Sequence, residues 1–389
     1  AGIFSYFIAT TTPSTIFGRK AGFLDSPVLI LTGILSPETT QSSETGQSSG
    51  SGGSAGGGGG SGVSGAPHKT INTEKAVQFL SSHQNRDGSI GDSILYSDWA
   101  AVALSASGNS EAKNKLKDYL VNASYNTDFG RTTDLERRAM ALMALGVNPY
   151  SGISVDFISK IAAAFDGTQI GDPAIFNDDI FALFPLLKAG YSGSDKIIES
   201  TIKFILVKQM INGCWNSIDL TAAAVQALAL ALRTGNLSEN LSDSMNQALK
   251  EAKNFLRNSE GQNGGFGNNA ISTAWAIQAI AALGETISSW ENSGQNPLDF
   301  LASHQMSDGG FEEETAPVGT RIWTTAYAIP AALGKTWDEI LGSFSKPMQN
   351  LPETASNLPS AEATSTPEHI IETPAPVIAT STPATENEQ

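Results

Sequence analysis

Apolar positions recur along this chain at helical spacing, in paired stretches of opposite character. Between Phe204 and Leu232 a short amphipathic segment carries Phe204 and Ile205. Gln209 and a tight Gly213-Cys214-Trp215 turn follow, then a nearly unbroken apolar run from Ala222 to Leu232. The same frame returns as Phe79, Leu80, Gln84, Gly88, Ile90 and as Phe300, Leu301, Gln305, Gly309, Phe311. A fourth copy reads Phe255, Leu256, Glu260, Gly264, Phe266, with Glu in place of Gln. Two looser copies, around Tyr119, Leu120, Phe129 and around Phe157, Ile158, Ile170, make six. The turn positions recur every 40 to 50 residues or so, a period typical of helical repeat arrays.

Each copy predicts a helical hairpin. Its first helix is amphipathic, with Lys, Asp and Glu on one side, as in Glu111 to Tyr119 and Gln247 to Leu256. Its second is Ala-rich and apolar nearly all round. A helix apolar on every side belongs inside and an amphipathic one outside, and such a hairpin buries its faces only against neighbours. The expected fold is therefore all-α: an α6/α6 toroid, a double ring of six helical hairpins. The inner helices are expected to begin near Asp98, Asp134, Asp179, Thr221, Thr273 and Thr325, where Asp or Thr satisfies free backbone donors. Most are expected to stop at a glycine, namely Gly108, Gly146, Gly190, Gly284 and Gly334.

The repeat accounts for 70–345 of the 389 residues, which argues for one body there rather than several domains. Residues 1–39 contain two aromatic and β-branched runs, Ile3 to Thr10 and Val28 to Leu35, read as the remnant of a preceding β-rich module. Residues 40–69 form a Gly/Ser linker, and 346–389 a Pro/Thr/Glu-rich tail expected to stay disordered. The chain starts at Ala1, as a mature or truncated product does. Its spacers resemble those of exported, surface-displayed proteins, so the expected location is extracellular or the cell surface. A net charge of −16 without a Lys/Arg cluster offers no face to a nucleic-acid backbone. No apolar run in this chain reaches the ~18 residues of a membrane span. With one cysteine, Cys214, the chain has no intramolecular disulfide.

The Phe-Leu, Gln, Gly, aromatic spacing resembles the QW-type repeat of the terpenoid cyclase and protein prenyltransferase superfamily, which includes the squalene cyclases. The resemblance covers 70–345 and implies an α/α toroid in which the Gln ties a helix end and the aromatic packs over the turn. The matching positions are Gln84, Gln209, Gln305, Trp215, Phe266 and Phe311. The superfamily's chemistry is not matched. Prenyltransferase β subunits hold zinc through Asp, Cys and His, whereas Cys214, His83 and His304 sit in turns without an Asp-x-Cys motif, so no metal is expected. Squalene-type cyclases protonate an alkene from an acidic cluster, and Asp178-Asp179 lacks the extended motif. Asp219-Leu220-Thr221-Ala222 resembles their Asp-Cys-Thr-Ala stretch with Leu220 in place of Cys, which leaves Asp219 as the candidate acid. The thioester motif of the complement-like branch is not found at Gly213-Cys214-Trp215. The cobalamin carriers of animal fluids share the double ring and bind their ligand without chemistry, helped by a small β domain; residues 1–39 are compatible with a fragment of one but show no recognisable sequence match to it, and cobalamin stands as one ligand that this resemblance implies.

Parallel inner helices place six N-termini at one end of the ring, a setting that favours anions and that Asp98, Asp134, Asp178, Asp179 and Asp219 offset. Candidate ligand contacts are Asp98, Arg137, Phe181, Asp219, Trp275, Trp323 and Tyr327, lining a central cavity for an apolar or ring-bearing ligand. No cofactor is implied. The favoured function is a non-catalytic, exported or surface-held module that binds such a ligand or a surface protein. The alternatives are a terpene-cyclase or prenyltransferase-like enzyme with Asp219 as general acid, and a spacer domain without a small ligand.

Overall fold

The computed structural model describes residues 68–108, 111–124 and 129–347. The expected strands within 1–39, the linker through residue 67 and the tail from residue 348 lie outside the described residues. Six outer helices, α1 (Thr73–Ser82), α3 (Glu111–Ala123), α5 (Phe157–Ala163), α7 (Lys196–Val207), α9 (Glu239–Ser259) and α11 (Pro297–Ser303), alternate in the chain with inner ones. The inner helices are α2 (Ile94–Ser107), α4 (Thr132–Ala144), α6 (Asn177–Lys188), α8 (Ile218–Thr234), α10 (Ala270–Ala282) and α12 (Val318–Ala332), and a short α13 (Trp337–Ile340) follows. Each inner helix packs on the next, from α2 through α4, α6, α8 and α10 to α12, and α12 packs back on α2. The ring closes, with the outer helices wrapped around it: an α6/α6 toroid.

Burial follows the two helix types. On outer α9 the buried residues Leu241, Met245, Ala248, Leu249, Ala252 and Leu256 form one stripe at spacings of three and four. On inner α10 every residue from Thr273 to Ile280 is buried, and alternate alanines let neighbouring helices approach.

The repeated Gln, Gly and turn residue each perform a physical task. Gln84 Nε2 donates to Gly88 O (2.9 Å) in its own turn and to Ala112 O (2.8 Å) in the next outer helix. Gln209 does the same to Gly213 O and Ala248 O, both at 2.9 Å. Gln305 reaches Gly309 O (3.1 Å) and Asn72 O (2.8 Å), and its Oε1 accepts from Asn72 N (2.8 Å), so the sixth hairpin clasps the start of the first. The turn N–H is held from the inner helix. Ile90 N donates to Ser97 Oγ, Ile170 N to Asp179 Oδ1, Trp215 N to Thr221 Oγ1, Phe266 N to Thr273 Oγ1 and Phe311 N to Thr325 Oγ1. This corrects the expectation that Asp98, Asp134, Asp179 and the three threonines cap the inner helices. The helices begin three to seven residues earlier for Ser97 and the threonines. Where a side chain caps them it is Ser93, Ser217 or Asn269.

The fifth hairpin breaks the rule. Glu260 stands where the first, fourth and sixth copies have Gln, and its Oε1 is buried without a partner. A carboxylate offers no N–H to the carbonyl oxygens that the Gln amide serves, and burial pushes its pKa up to about 7. The native state therefore favours the neutral acid. Its stabilising contribution is complete below the unfolded carboxyl's ordinary range and is lost as pH rises toward 7. Glu260→Gln is expected to be near neutral at pH 5 and to stabilise by about 1 kcal/mol at pH 8, a value discounted for partial exposure. Urea unfolding at the two pH values checks this, and an equal change at both would count against it.

Candidate functional site

The C-terminal end of the inner ring is sealed from below. Gln278 Nε2 donates to Lys335 O (2.9 Å), Trp337 N donates to Gln226 Oε1 (3.1 Å) and Phe344 N to Lys188 O (2.6 Å), drawing the chain after α12 across the opening. Asp338 is held by Lys188 (3.0 Å) and Arg233 (2.9 Å). Trp337 enters the ring, and its indole lies 5.1 Å from Trp275, 5.4 Å from Phe181 and 5.6 Å from Trp99 by ring centroids. Tyr327 completes the cluster at 4.9 Å from Trp99 and 5.2 Å from Trp275. The expected central cavity is thus replaced by an aromatic core, in which Phe181, Trp275 and Tyr327 are buried. Trp337, which follows α12, wedges among these rings and takes up space inside the ring.

The opposite end of the ring is formed by the first turns of the inner helices. In its wall Asp98 Oδ1 accepts from Arg138 Nε (2.6 Å) and its Oδ2 from Arg137 Nε (3.0 Å), with all three side chains buried. Two of the candidate contacts are therefore engaged with each other, tying α2 to α4. Asp219 and Trp323, in contrast, are half-buried at the mouth. Ser272 on α10 hydrogen-bonds the Asp219 carboxyl, burial pushes its pKa up, and Oδ1 has no partner. The first turns of the inner helices also carry half-buried apolar side chains, among them Leu95, Tyr96, Phe176, Leu220 and Ile271.

More unmet polar atoms lie at this end between α4 and α6. Both oxygens of fully buried Glu136, Oδ1 of Asp178, Oδ2 of Asp179 and Nδ2 of Asn177 are buried without hydrogen-bond partners. Burial, with the neighbouring Asp178 and Asp179, raises the Glu136 pKa well above the usual carboxyl range. Asp178 is pushed up to about 6 and Asp179 to about 7, again chiefly by burial. Buried polar groups normally find partners, and these unpartnered atoms gather near the first turns of α4 and α6, beside the half-buried apolar side chains of the rim. Two surface grooves, of ≈ 560 Å³ along Lys117, Val121 and Val147 and ≈ 240 Å³ along Lys69, Ile71 and Leu298, have no comparable set of buried orphans among the described residues. Glu136, Asn177 and Tyr96 were not singled out from the sequence. The available signal was a charged run, Glu136-Arg137-Arg138, inside an otherwise apolar inner helix.

Among the described residues no helix is long and apolar enough to cross a membrane. The sequence profile of the eukaryotic cobalamin-binding protein family matches residues 190–318. This finding overturns the assignment to the terpenoid cyclase and prenyltransferase superfamily: the toroid stands, and the matched stretch, 190–318, is similar to a cobalamin-binding family instead. A solved structure of haptocorrin in complex with Cbi is similar in fold, with a TM-score of 0.48 and 16% identity over 70% of this chain and 68% of that one. No curated protein matches the chain by sequence.

Proposed function

We propose that the ring is a non-catalytic binding module for a corrinoid of the cobalamin class, seated at the mouth formed by the inner-helix N-termini. The observation that carries this reading is the family match over residues 190–318, which spans α8, α10 and the mouth residues Asp219 and Ser272. The chemistry of the mouth supports it. A corrinoid is a broad, largely apolar macrocycle rimmed with carboxamides, whose N–H groups suit the free Asp219 Oδ1 and whose faces suit the apolar rim. The packed interior directs the ligand to the end of the ring and not through it. The flanking spacers support an exported or surface-held location, with the ligand captured outside the cell.

Titration of the whole chain with cyanocobalamin, followed by calorimetry, tests the reading: saturable binding without turnover is expected, and no binding at micromolar concentrations overturns it. Asp219→Ala is expected to weaken binding about tenfold, as loss of a buried hydrogen-bonding partner does, with the unfolding midpoint unchanged. An unaltered affinity would remove Asp219 from the site.

A further inference from the structure

The sixth hairpin departs from the others at the mouth. From the turn residue to the side chain that holds its N–H, the separation is 14 positions in this unit (Phe311 to Thr325), against 6 to 9 in the four others where that bond is made. The extra residues extend the inner helix. Thr325 is the eighth residue of α12, whereas Ser97, Thr221 and Thr273 are each the fourth of α2, α8 and α10. At 1.5 Å per residue, α12 overhangs its neighbours by about 6 Å.

The overhang is braced on two sides. Arg321 grips Asp308 through both terminal nitrogens, at 2.9 and 2.7 Å, and its guanidinium lies 4.7 Å over the Phe79 ring. Gly319 lets the helix touch Tyr96 of α2, where a Cβ would stand 2.6 Å from the phenol oxygen. On the same turn Trp323 and Tyr96 form a tilted aromatic corner, with ring centroids 6.4 Å apart. Both residues are half-buried, and Val318 at the tip is 49% exposed. These contacts also lie on the seam where α12 packs back on α2, yet the four other hairpins in which the turn N–H is held join the ring without such an extension. In repeat proteins such insertions gather on the binding face.

We propose that the overhanging turn of α12 is a side wall of the binding site, whose Trp323/Tyr96 corner contacts the edge of the bound corrinoid and slows its release. The inference rests on the corrinoid reading of the mouth. A rigid wall of this height catches a flat ligand from the side, and adds an indole above a rim that already carries Phe176.

The test is the release of radiolabelled cyanocobalamin, and of its nucleotide-free analogue cobinamide, under an unlabelled chase. Trp323→Ala is expected to speed release at least tenfold for both, while Trp323→Phe keeps it within about threefold of the parent. Val318→Asp, at an exposed position that leaves the core untouched, is expected to speed release about threefold. The unfolding midpoints of the Phe and Asp variants should match the parent. Unchanged release in Trp323→Ala and Val318→Asp overturns the wall while leaving the corrinoid reading in place. Absence of binding by the unaltered chain overturns both.

Discussion

Asp98→Ala is expected to destabilise the ring by about 3–5 kcal/mol, enough to unfold much of the population under mild denaturant. Asp98 is completely buried and is the shared counter-charge of two guanidiniums, Arg137 at 3.0 Å and Arg138 at 2.6 Å. Removing it strands two cations unequally. Arg137 retains Asp134 at 2.8 Å near the mouth, whereas Arg138 keeps, among the described residues, the Ser124 hydroxyl at 3.0 Å and the Phe129 ring at 5.4 Å. The cost is that of leaving charge in a medium that solvates it poorly, not the worth of the pair itself. The triple variant Asp98→Leu, Arg137→Met, Arg138→Met should accordingly recover at least half of the loss. Equilibrium urea unfolding of both proteins decides the matter. A loss under about 1 kcal/mol in Asp98→Ala would show that water reaches this part of the wall.

The toroid was legible because its information is local and repeated. Gln84, Gln209 and Gln305 sit at one offset from their glycines, and apolar runs such as Thr273 to Ile280 identify the inner ring without any long-range knowledge. Helix starts were misplaced for a physical reason. Thr221, Thr273 and Thr325 carry a side chain suited to capping, yet each spends it on the N–H of the preceding turn. Sequence alone does not separate these two acceptor roles, because both put a small oxygen-bearing residue near a helix start. The candidate site was legible only in part. Asp98, Arg137, Asp219 and Trp323 were read together as contacts of one cavity, and nothing local distinguishes Asp219 from Asp98, which pairs with Arg137 and Arg138 39 and 40 positions away. The interior was misjudged because Trp337, which enters it, follows the last inner helix, where the Gln-Gly-turn frame assigns no position. The family was misjudged because the Gln-Gly-turn frame reports ring assembly, a task common to binding and catalytic toroids alike.

Gly309→Ala is expected to cost about 3 kcal/mol or more, through the ring's closing seam. Two penalties coincide at this position. Its φ of +93° lies in the region that L side chains avoid, and a Cβ would stand 2.3 Å from Lys75 O and 2.4 Å from Lys75 C in α1. That carbonyl belongs to the first outer helix, whose N-cap Asn72 is held by Gln305 from both its N–H and its C=O. A methyl group therefore pushes apart the two ends of the repeat at the contact that turns a row of hairpins into a ring. The chain supplies its own control in Gly284, which has a φ of +73° but where an added Cβ would have no atom within 4 Å. Gly284→Ala should show the backbone penalty alone, about 1 kcal/mol. The difference between the two variants isolates the steric closure. Because α12 contacts α2 across the same seam, hydrogen exchange in Gly309→Ala should accelerate first in α1, α2 and α12. Equal losses in the two variants, or exchange that accelerates evenly around all six hairpins, would mean that closure is carried by the inner-helix packing and not by the clasp.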